Sequence, residues 1–207
     1  PFWGLSTCDE QCPAQCVPDY PCGYSPTTCD TTIGAGEMFP AGALASNKLC
    51  AIDGGRRYMM KGQTDLKGTC VAQLGMSGGD LIGEALTAAV HSTSNGPGGC
   101  NEGFLRDDAL LMVTLISNTY DYDSKGIPGS WAASVFKAKH DDLQSIVMFS
   151  ILDPGVPECK APDRTCTMVK MFPYHLLVDR DEPDYGPFFE QATDLVEVAC
   201  ADFVPPG

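Results

Sequence analysis

The fold is decided by residues 101–153, which read NEGFLRDDALLMVTLISNTYDYDSKGIPGSWAASVFKAKHDDLQSIVMFSILD. Within this stretch, residues 109–117 and 145–152 are short apolar runs rich in branched side chains. Such runs are typical of strands buried on both faces, as in a parallel sheet. Residues 130–140, between them, show helical spacing. Because parallel strands need a crossover and a helix usually provides it, the stretch predicts a strand–helix–strand unit inside an α/β domain.

Composition limits both the size of the domain and the kinds of partner. With 207 residues, of which 43% are hydrophobic, the chain can bury one substantial core. Its 13 Lys and Arg against 27 Asp and Glu give a formal net charge of −14. Because this charge repels phosphate backbones and anionic lipids, we expect no nucleic-acid partner, and divalent cations or basic proteins are favoured. No apolar run approaches the length of a membrane span.

The number of cysteines indicates an oxidising compartment. Eleven are too many for an ordinary cytosolic α/β protein, so we expect disulfides and an extracellular or cell-surface location. The odd count leaves one thiol free or bonded to another chain. No secretory signal is recognisable, so the sequence is taken as a mature or processed chain. The predicted disulfide cysteines are Cys8, Cys12, Cys16, Cys22, Cys29, Cys50, Cys70, Cys100, Cys159, Cys166 and Cys200.

The N-terminal residues 1–32 hold five of these cysteines and show neither helical nor alternating spacing, which predicts an irregular, cross-linked arm. An alternative interpretation is a zinc or copper site, because three of the cysteines recur at intervals of four residues, as on one face of a helix. Pro13 would interrupt that helix, so disulfides are favoured. The candidate ligands of the alternative site are Cys8, Cys12, Cys16 and Cys22.

A possible enzymatic motif lies at residues 75–79, GMSGG, which match the G-x-S-x-G pattern of a nucleophile elbow around Ser77. A serine hydrolase also needs an acid and a histidine, and Asp153 followed by His175 supplies them in the order of an α/β-hydrolase. The elbow requires a strand before the serine, whereas the segment before Gly75 has helical spacing. We therefore favour a glycine-rich turn leading into a helix over residues 80–91 and expect no catalysis.

Oxygen-bearing side chains follow both strands of the predicted unit. Because ligands bind beyond the carboxyl ends of strands in open parallel sheets, we expect these side chains to share one edge of the sheet. Carboxylate, amide and hydroxyl oxygens suit a hard divalent cation, Ca²⁺ or Mg²⁺. The candidate metal ligands are Ser77, Asp80, Asn118, Asp121, Asp123 and Asp153.

Several segments, taken in order, carry a resemblance to one family. They are GFLRDDALLMVTLIS (103–117), DTTIGAG (30–36), DGGRRY (53–58), GMSGGDLIGEAL (75–86) and DYGPFFEQATDLVEVAC (184–200). Over roughly residues 30–203 the chain is similar to the von Willebrand factor type A-like domains of secreted or surface proteins of bacteria. This resemblance implies an α/β fold with a doubly wound, mainly parallel, Rossmann-like sheet over residues 33–207.

The resemblance also implies departures from the family. Many type A domains bind a divalent cation through an Asp-x-Ser-x-Ser motif, a Thr and an Asp. The first motif is absent here, Ser77 lies near the Thr position, and Asn118 occupies the Asp position, so we expect a degenerate metal site. The first strand and first helix of the family also have no counterpart, and an open position in a sheet can accept a strand from another chain.

The expected function is therefore an extracellular, non-catalytic module for adhesion or assembly. Its partner would be another protein or further copies of the same chain, in a surface or filamentous assembly completed by strand addition. The alternatives are a secreted serine hydrolase that uses Ser77 and a protein that binds metal through cysteines.

Overall fold

The computed structural model describes residues 24–40, 44–63, 73–74, 79–153, 158–160 and 162–205. These residues form two compact units. The first comprises the described residues up to Gly79 together with Ser94–Phe104, and the second comprises Asp80–Thr93 and the described residues from Leu105 onward. The predicted division into an arm of residues 1–32 and a domain of residues 33–207 stays a prediction, because residues 1–23 lie outside the described part.

The first unit has little regular structure and is held by specific cross-links. Its described part contains two short 3-10 turns, Thr28–Thr31 and Asp53–Gly55. Asn101 ties two segments together, since its side chain accepts from the Gly36 N–H at 2.8 Å and donates to the Gly34 carbonyl at 2.9 Å. A small apolar cluster of Cys50, Ile52 and Met38 provides its core. The Cys29–Cys100 disulfide and the hydrogen bonds from side chains to the backbone therefore stabilise this unit, whose apolar core is small.

Helices and strands alternate along the rest of the chain. The helices Pro128–Ala138 and Gly186–Asp202 both carry a proline in the first turn, where its missing N–H costs nothing. A further 3-10 turn, Leu143–Ser145, leads into the second strand. The elements are α1 (Ile82–Val90), α2 (Ser92–Asn95), β1 (Leu111–Ile116), α3 (Pro128–Ala138), β2 (Ile146–Leu152), α4 (Arg164–Val169), β3 (Tyr174–Asp179) and α5 (Gly186–Asp202).

The three strands of the described residues form one parallel sheet in the order β1-β2-β3. Leu111 of β1 lies opposite Ile146 of β2, and Leu152 of β2 lies opposite Asp179 of β3. α3 connects β1 to β2, and α4 lies between β2 and β3 in the chain. The predicted strand–helix–strand unit inside a parallel α/β sheet is therefore confirmed.

β2 is the centre of the core because both of its faces are covered. Every residue from Ile146 to Leu152 is buried. On one face Ile146 and Met148 pack with residues of α1, α3 and α4, and on the other Phe149 and Ile151 pack with Ala192 of α5. A central strand between two layers of helices explains why this segment is a continuous apolar run rather than an alternating one.

The prediction that residues 109–117 would be buried on both faces is wrong. Leu111, Val113 and Leu115 face the core, whereas alternate residues of β1 face solvent: Met112 is 42% exposed and Ile116 is 70% exposed. The physical reason is position, because β1 is an edge strand and α5 contacts β3 and β2. β1 therefore has an apolar outer side without a helix over it in the described part of the chain.

The segment leading into β1 is anchored by a buried lysine that follows α3. The ammonium group of Lys139 donates to the carbonyls of Arg106 at 2.7 Å and Ala109 at 2.8 Å. Burial lowers the pKa of Lys139, and the nearby carboxylate of Asp107 opposes this shift. One cation thus fixes the residues just before the edge strand.

α1 and α3 pack closely because a glycine faces a tryptophan. Trp131 is buried, and its indole N–H donates to the Lys125 carbonyl at 2.8 Å. A methyl group on Gly83 would lie only 2.3 Å from the Trp131 ring, so the two helices can approach this closely only when residue 83 has no side chain.

We predict that Gly83→Ala lowers the free energy of unfolding by about 1–3 kcal/mol, because the ring or the helix must move to avoid the overlap. Gly129→Ala is the matched control, since nothing lies within 4 Å of its added methyl group, and we expect it to leave stability unchanged or to raise it by up to about 1 kcal/mol. Urea denaturation of both variants measures the difference. Equal stabilities would contradict the assigned α1–α3 contact.

Candidate functional site

Five of the six predicted metal-ligand residues lie beyond the carboxyl ends of β1 and β2, as expected from the sequence. Ser77 falls outside the described residues. The other five form two groups: Asp80, Asp121 and Asp123 meet at the start of α1, whereas Asn118 and Asp153 meet at the end of the sheet.

Asp121 is completely buried, and both of its carboxylate oxygens accept backbone hydrogen bonds. Oδ2 accepts from Gly83 N–H at 2.6 Å, and Oδ1 accepts from Ser124 N–H at 3.0 Å. Gly83 lies in the first turn of α1, where N–H groups have no partner within the helix and where negative charge is favoured. Asp121 therefore caps α1 from a loop about 40 residues away in the chain.

The neighbouring residues of the loop complete this cap. Ser124 Oγ accepts from Glu84 N–H at 2.9 Å. Asp123 Oδ2 accepts from Asp80 N–H at 3.3 Å, and the Asp80 carbonyl accepts from Asp123 N–H at 3.2 Å. The loop after β1 is thus bonded to the start of α1 through several consecutive residues.

Arg164, the first residue of α4, closes the loop from the other side. Its Nη1 lies 3.8 Å from Asp121 Oδ1, and its Nη2 donates to the Ser124 carbonyl at 3.0 Å. Nη2 also donates to the Gly126 carbonyl, and the guanidinium lies 4.4 Å from the centre of the Trp131 ring. The buried charge of Asp121 therefore has a partly buried cationic partner, which such a carboxylate needs.

A second arginine, Arg180, joins the ends of the three strands. It follows β3, its Nε lies 2.9 Å from Asp153 Oδ1, and its Nη1 donates to the Asn118 carbonyl at 2.5 Å. Asn118 follows β1 and Asp153 follows β2, so one guanidinium connects all three carboxyl ends. Sequence reasoning missed Arg164 and Arg180. The rule for carboxyl ends would have found Arg180, since it directly follows β3, but nothing local marks Arg164.

These contacts bear on the predicted cation. Two of the candidate ligands, Asp121 and Asp153, are paired with arginines, so a divalent cation would compete with a guanidinium at each. Within the described residues there is no group of three or more His, Cys, Asp or Glu side chains arranged to hold a metal ion. The Ca²⁺ or Mg²⁺ site that includes Ser77 stays a prediction.

The pairing of Asp153 with His175 in a hydrolase triad is wrong. His175 lies opposite Met148, near the start of β3, whereas Asp153 follows the end of β2. Five residues of strand separate the two levels, which is roughly 16 Å. His175 Nδ1 lies instead 2.6 Å from the Phe172 carbonyl. Whatever the position of Ser77, the acid and the histidine are at opposite ends of the sheet.

The described cysteines are mostly oxidised. Cys29 bonds Cys100 across 71 residues, and Cys159 bonds Cys166, which closes a local ring. Cys50 is also disulfide-bonded. The prediction of a disulfide at Cys200 is wrong, because this thiol is free and exposed on α5 and every other cysteine in the described part of the chain is already bonded. The remaining predicted cysteines, Cys8, Cys12, Cys16, Cys22 and Cys70, lie outside the described residues.

The Cys159–Cys166 ring leads into α4 through a buried acid. Asp163 is the N-cap of this helix, and its Oδ1 accepts from Cys166 N–H at 2.8 Å. Burial raises the pKa of Asp163, and the hydrogen bonds from the backbone of Cys166 and Thr165 only partly offset the effect. The negative charge of Asp153 nearby acts in the same direction as burial. Asp163 thus holds Arg164, the next residue, in place beside the site.

Comparison with known protein families, with curated proteins and with solved structures finds no match to this chain. Within the described residues, no helix is both long enough and apolar enough to cross a bilayer. What the described residues show is a three-stranded parallel sheet flanked by helices, with two arginines at its carboxyl edge. The Cys29–Cys100 disulfide is formed by residues that precede the sheet in the sequence, and the Cys159–Cys166 disulfide lies between β2 and β3.

We predict that Asp121→Asn lowers the free energy of unfolding by about 1–3 kcal/mol, because the amide can accept only one of the two N–H bonds and leaves Arg164 without its counter-charge. Asp123→Asn is the matched control from the same loop, and its single exposed bond predicts a change within about 0.5 kcal/mol. Denaturant titration of the two variants tests this. Asp123→Asn being the more damaging of the two would overturn the role given to Asp121.

A second prediction concerns pH. Since burial raises the pKa of Asp163, the folded protein keeps this proton to a higher pH than the unfolded chain does, so stability is lost as the pH rises above the ordinary Asp value of about 3.9. Asp163→Asn keeps an N-cap and removes that loss. The stability of the variant relative to the wild type should therefore increase between pH 3 and pH 7, as measured by thermal unfolding. A difference that stays constant with pH would refute it.

Proposed function

We propose that this chain is an extracellular, non-catalytic adhesion or assembly module with a von Willebrand factor type A-like fold, and that a strand from another polypeptide completes its sheet. The observation that carries the proposal is the free edge of β1. In the described part of the chain, β1 pairs with β2 on one side only.

The backbone groups on that edge can be assigned. Ser117 N–H donates to the Ile151 carbonyl of β2, so Ser117 points toward β2. Because residues of a strand alternate in direction, Leu111, Val113 and Leu115 direct their N–H and C=O groups to β2 as well. Met112, Thr114 and Ile116 direct theirs to the free edge. A parallel strand added there would find three donors and three acceptors in regular order.

The outer side of β1 is also apolar where a partner would cover it. The same alternate residues, Met112 and Ile116, project side chains that are 42% and 70% exposed, opposite Val147 and Ile151 of β2. The edge strands of sheets are normally protected by charges, prolines or a covering element. On the outer face of β1, Thr114 is the one polar residue, and it lies between Met112 and Ile116. A strand with apolar side chains at alternate positions matches this surface.

Charge favours a partner that differs from the chain itself. Two copies would each bring a formal charge of −14, which opposes their association, whereas a basic segment is attracted. The disulfides support an oxidising location for this encounter. The arginines at Asp121 and Asp153 support the interpretation of a degenerate metal site, since they supply positive charge where a cation would otherwise be needed.

We predict that Thr114→Pro weakens binding of an added strand by about tenfold or more, because proline removes the central N–H of the free edge. The probe is a short synthetic peptide in which valine alternates with lysine, titrated by calorimetry onto the disulfide-intact protein. Thr114→Val is the matched control: it keeps the N–H and the branched side chain and should bind as the wild type does.

A second measurement distinguishes a loss of strand binding from a loss of folding in the Thr114→Pro variant. Since Thr114 N–H does not belong to the β1–β2 ladder, Thr114→Pro should retain the circular dichroism spectrum of the wild type, while Val113→Pro should lose stability. Wild-type affinity in a folded Thr114→Pro variant would reject strand addition at β1, and so would binding that protects none of the Met112, Thr114 and Ile116 amides from hydrogen exchange.

A further inference from the structure

The first unit contains a cleft of about 620 Å³, and all of its lining residues belong to that unit. The Cys29–Cys100 disulfide forms part of its wall, with Arg56, Tyr58 and Glu102 among the lining residues. Its volume is within the range of sites that bind small molecules. The disulfide joins Cys29 to the lining segment 99–103, and a hydrogen bond from the Tyr58 hydroxyl to the Glu102 carbonyl joins that segment to residues 55–60. The lining segments of the cleft are therefore held together.

One of the two arginines in the cleft is already neutralised. Arg57 Nη2 lies 2.5 Å from Asp30 Oδ1, and Nη1 donates to the Gly36 carbonyl at 2.8 Å. Burial raises the pKa of Asp30, but the hydrogen bonds from Arg57 and Thr27 outweigh it and hold the pKa below its usual value. The Arg57–Asp30 pair is therefore closed and has no charge left for a ligand.

Two opposite charges in the cleft remain uncompensated. Arg56 is exposed, and its guanidinium takes part in no ion pair within the described residues. Glu102 accepts one hydrogen bond, from Gly98 N–H at 2.9 Å, and has no cationic partner in the same part of the chain. Although both line the same cleft, no ion pair joins them. A ligand between them could satisfy both.

We propose that this cleft binds a small zwitterion of the amino-acid or short-peptide class. The Arg56 guanidinium receives the carboxylate, for which its planar fork of donors is suited, and Glu102 receives the ammonium group. Tyr58 also lines the cleft and is held in place, because its hydroxyl donates to the Glu102 carbonyl at 3.0 Å and the centre of its ring lies 5.4 Å from that of Phe104. A ligand with only one of the charges leaves the other residue unpaired, so the site selects for both.

The test uses three probes of similar size: glycylglycine, N-acetylglycine, which lacks the ammonium group, and glycylglycinamide, in which an uncharged amide replaces the carboxylate. In calorimetric or NMR titrations of the disulfide-intact chain, we expect glycylglycine to bind in the millimolar range and each analogue about tenfold more weakly. Arg56→Gln should reduce the affinity for glycylglycine about tenfold. Lys61→Gln removes the same charge from the same unit outside the cleft and should leave it unchanged.

Glu102→Gln separates recognition from misfolding, because it predicts a change in selectivity while binding is retained. Without the carboxylate, discrimination against N-acetylglycine should disappear, while binding through Arg56 persists. Equal affinity of the wild type for all three probes, no measurable binding of glycylglycine, or unchanged binding by Arg56→Gln would each overturn the proposal. None of these results depends on the edge of β1, so the assembly function stands or falls separately.

Discussion

The buried carboxylate of Asp121 is the contact on which the second unit depends. It joins the loop after β1 to the first turn of α1 and to Arg164 at the start of α4, three segments distant in the sequence. A completely buried charge is costly unless hydrogen bonds and a counter-charge surround it, and here both are present. Since the side of the sheet that carries α1 is held by these bonds, the position of α1 against Trp131, and thus the shape of the core, follows from them.

Two arginines pair with acidic residues at the carboxyl ends of the strands: Arg164 with Asp121 and Arg180 with Asp153. In a parallel sheet the carboxyl ends of the strands gather side chains that are suited to a ligand. Arg164 and Arg180 use the same side chains, and the carbonyls beside them, as internal partners. The edge that usually binds a ligand is cross-linked here by the chain's own cations. In the described part of the chain, β1 is an edge strand of the sheet and pairs only with β2, so its outer backbone groups have no partner strand there.

The core could be predicted from sequence further than the site. The apolar runs at β1 and β2 identify strands because they are short, continuous and rich in branched side chains. The exposure of β1 could not be predicted, since a strand becomes an edge only through the absence of a neighbour. Asp121 was selected for the correct location, but its protein partners could not be predicted. Oxygen donors bind a cation or an N–H group equally well, and the contacts of Asp121 with Gly83, Ser124 and Arg164 depend on segments that are distant in the sequence. Asp153 and His175 were considered as members of one triad because of their order in the sequence. That order does not show which end of a strand each residue occupies, and the two lie at opposite ends of the sheet.

Lys139 gives the edge strand a property that matters when a partner arrives. By binding the carbonyls of Arg106 and Ala109, it fixes the backbone immediately before β1. The strand is therefore preorganised on the isolated chain and loses little conformational entropy on association. Most of the ordering cost is borne by the incoming segment, so stiffness in that segment, more than length, would set how tightly it is held.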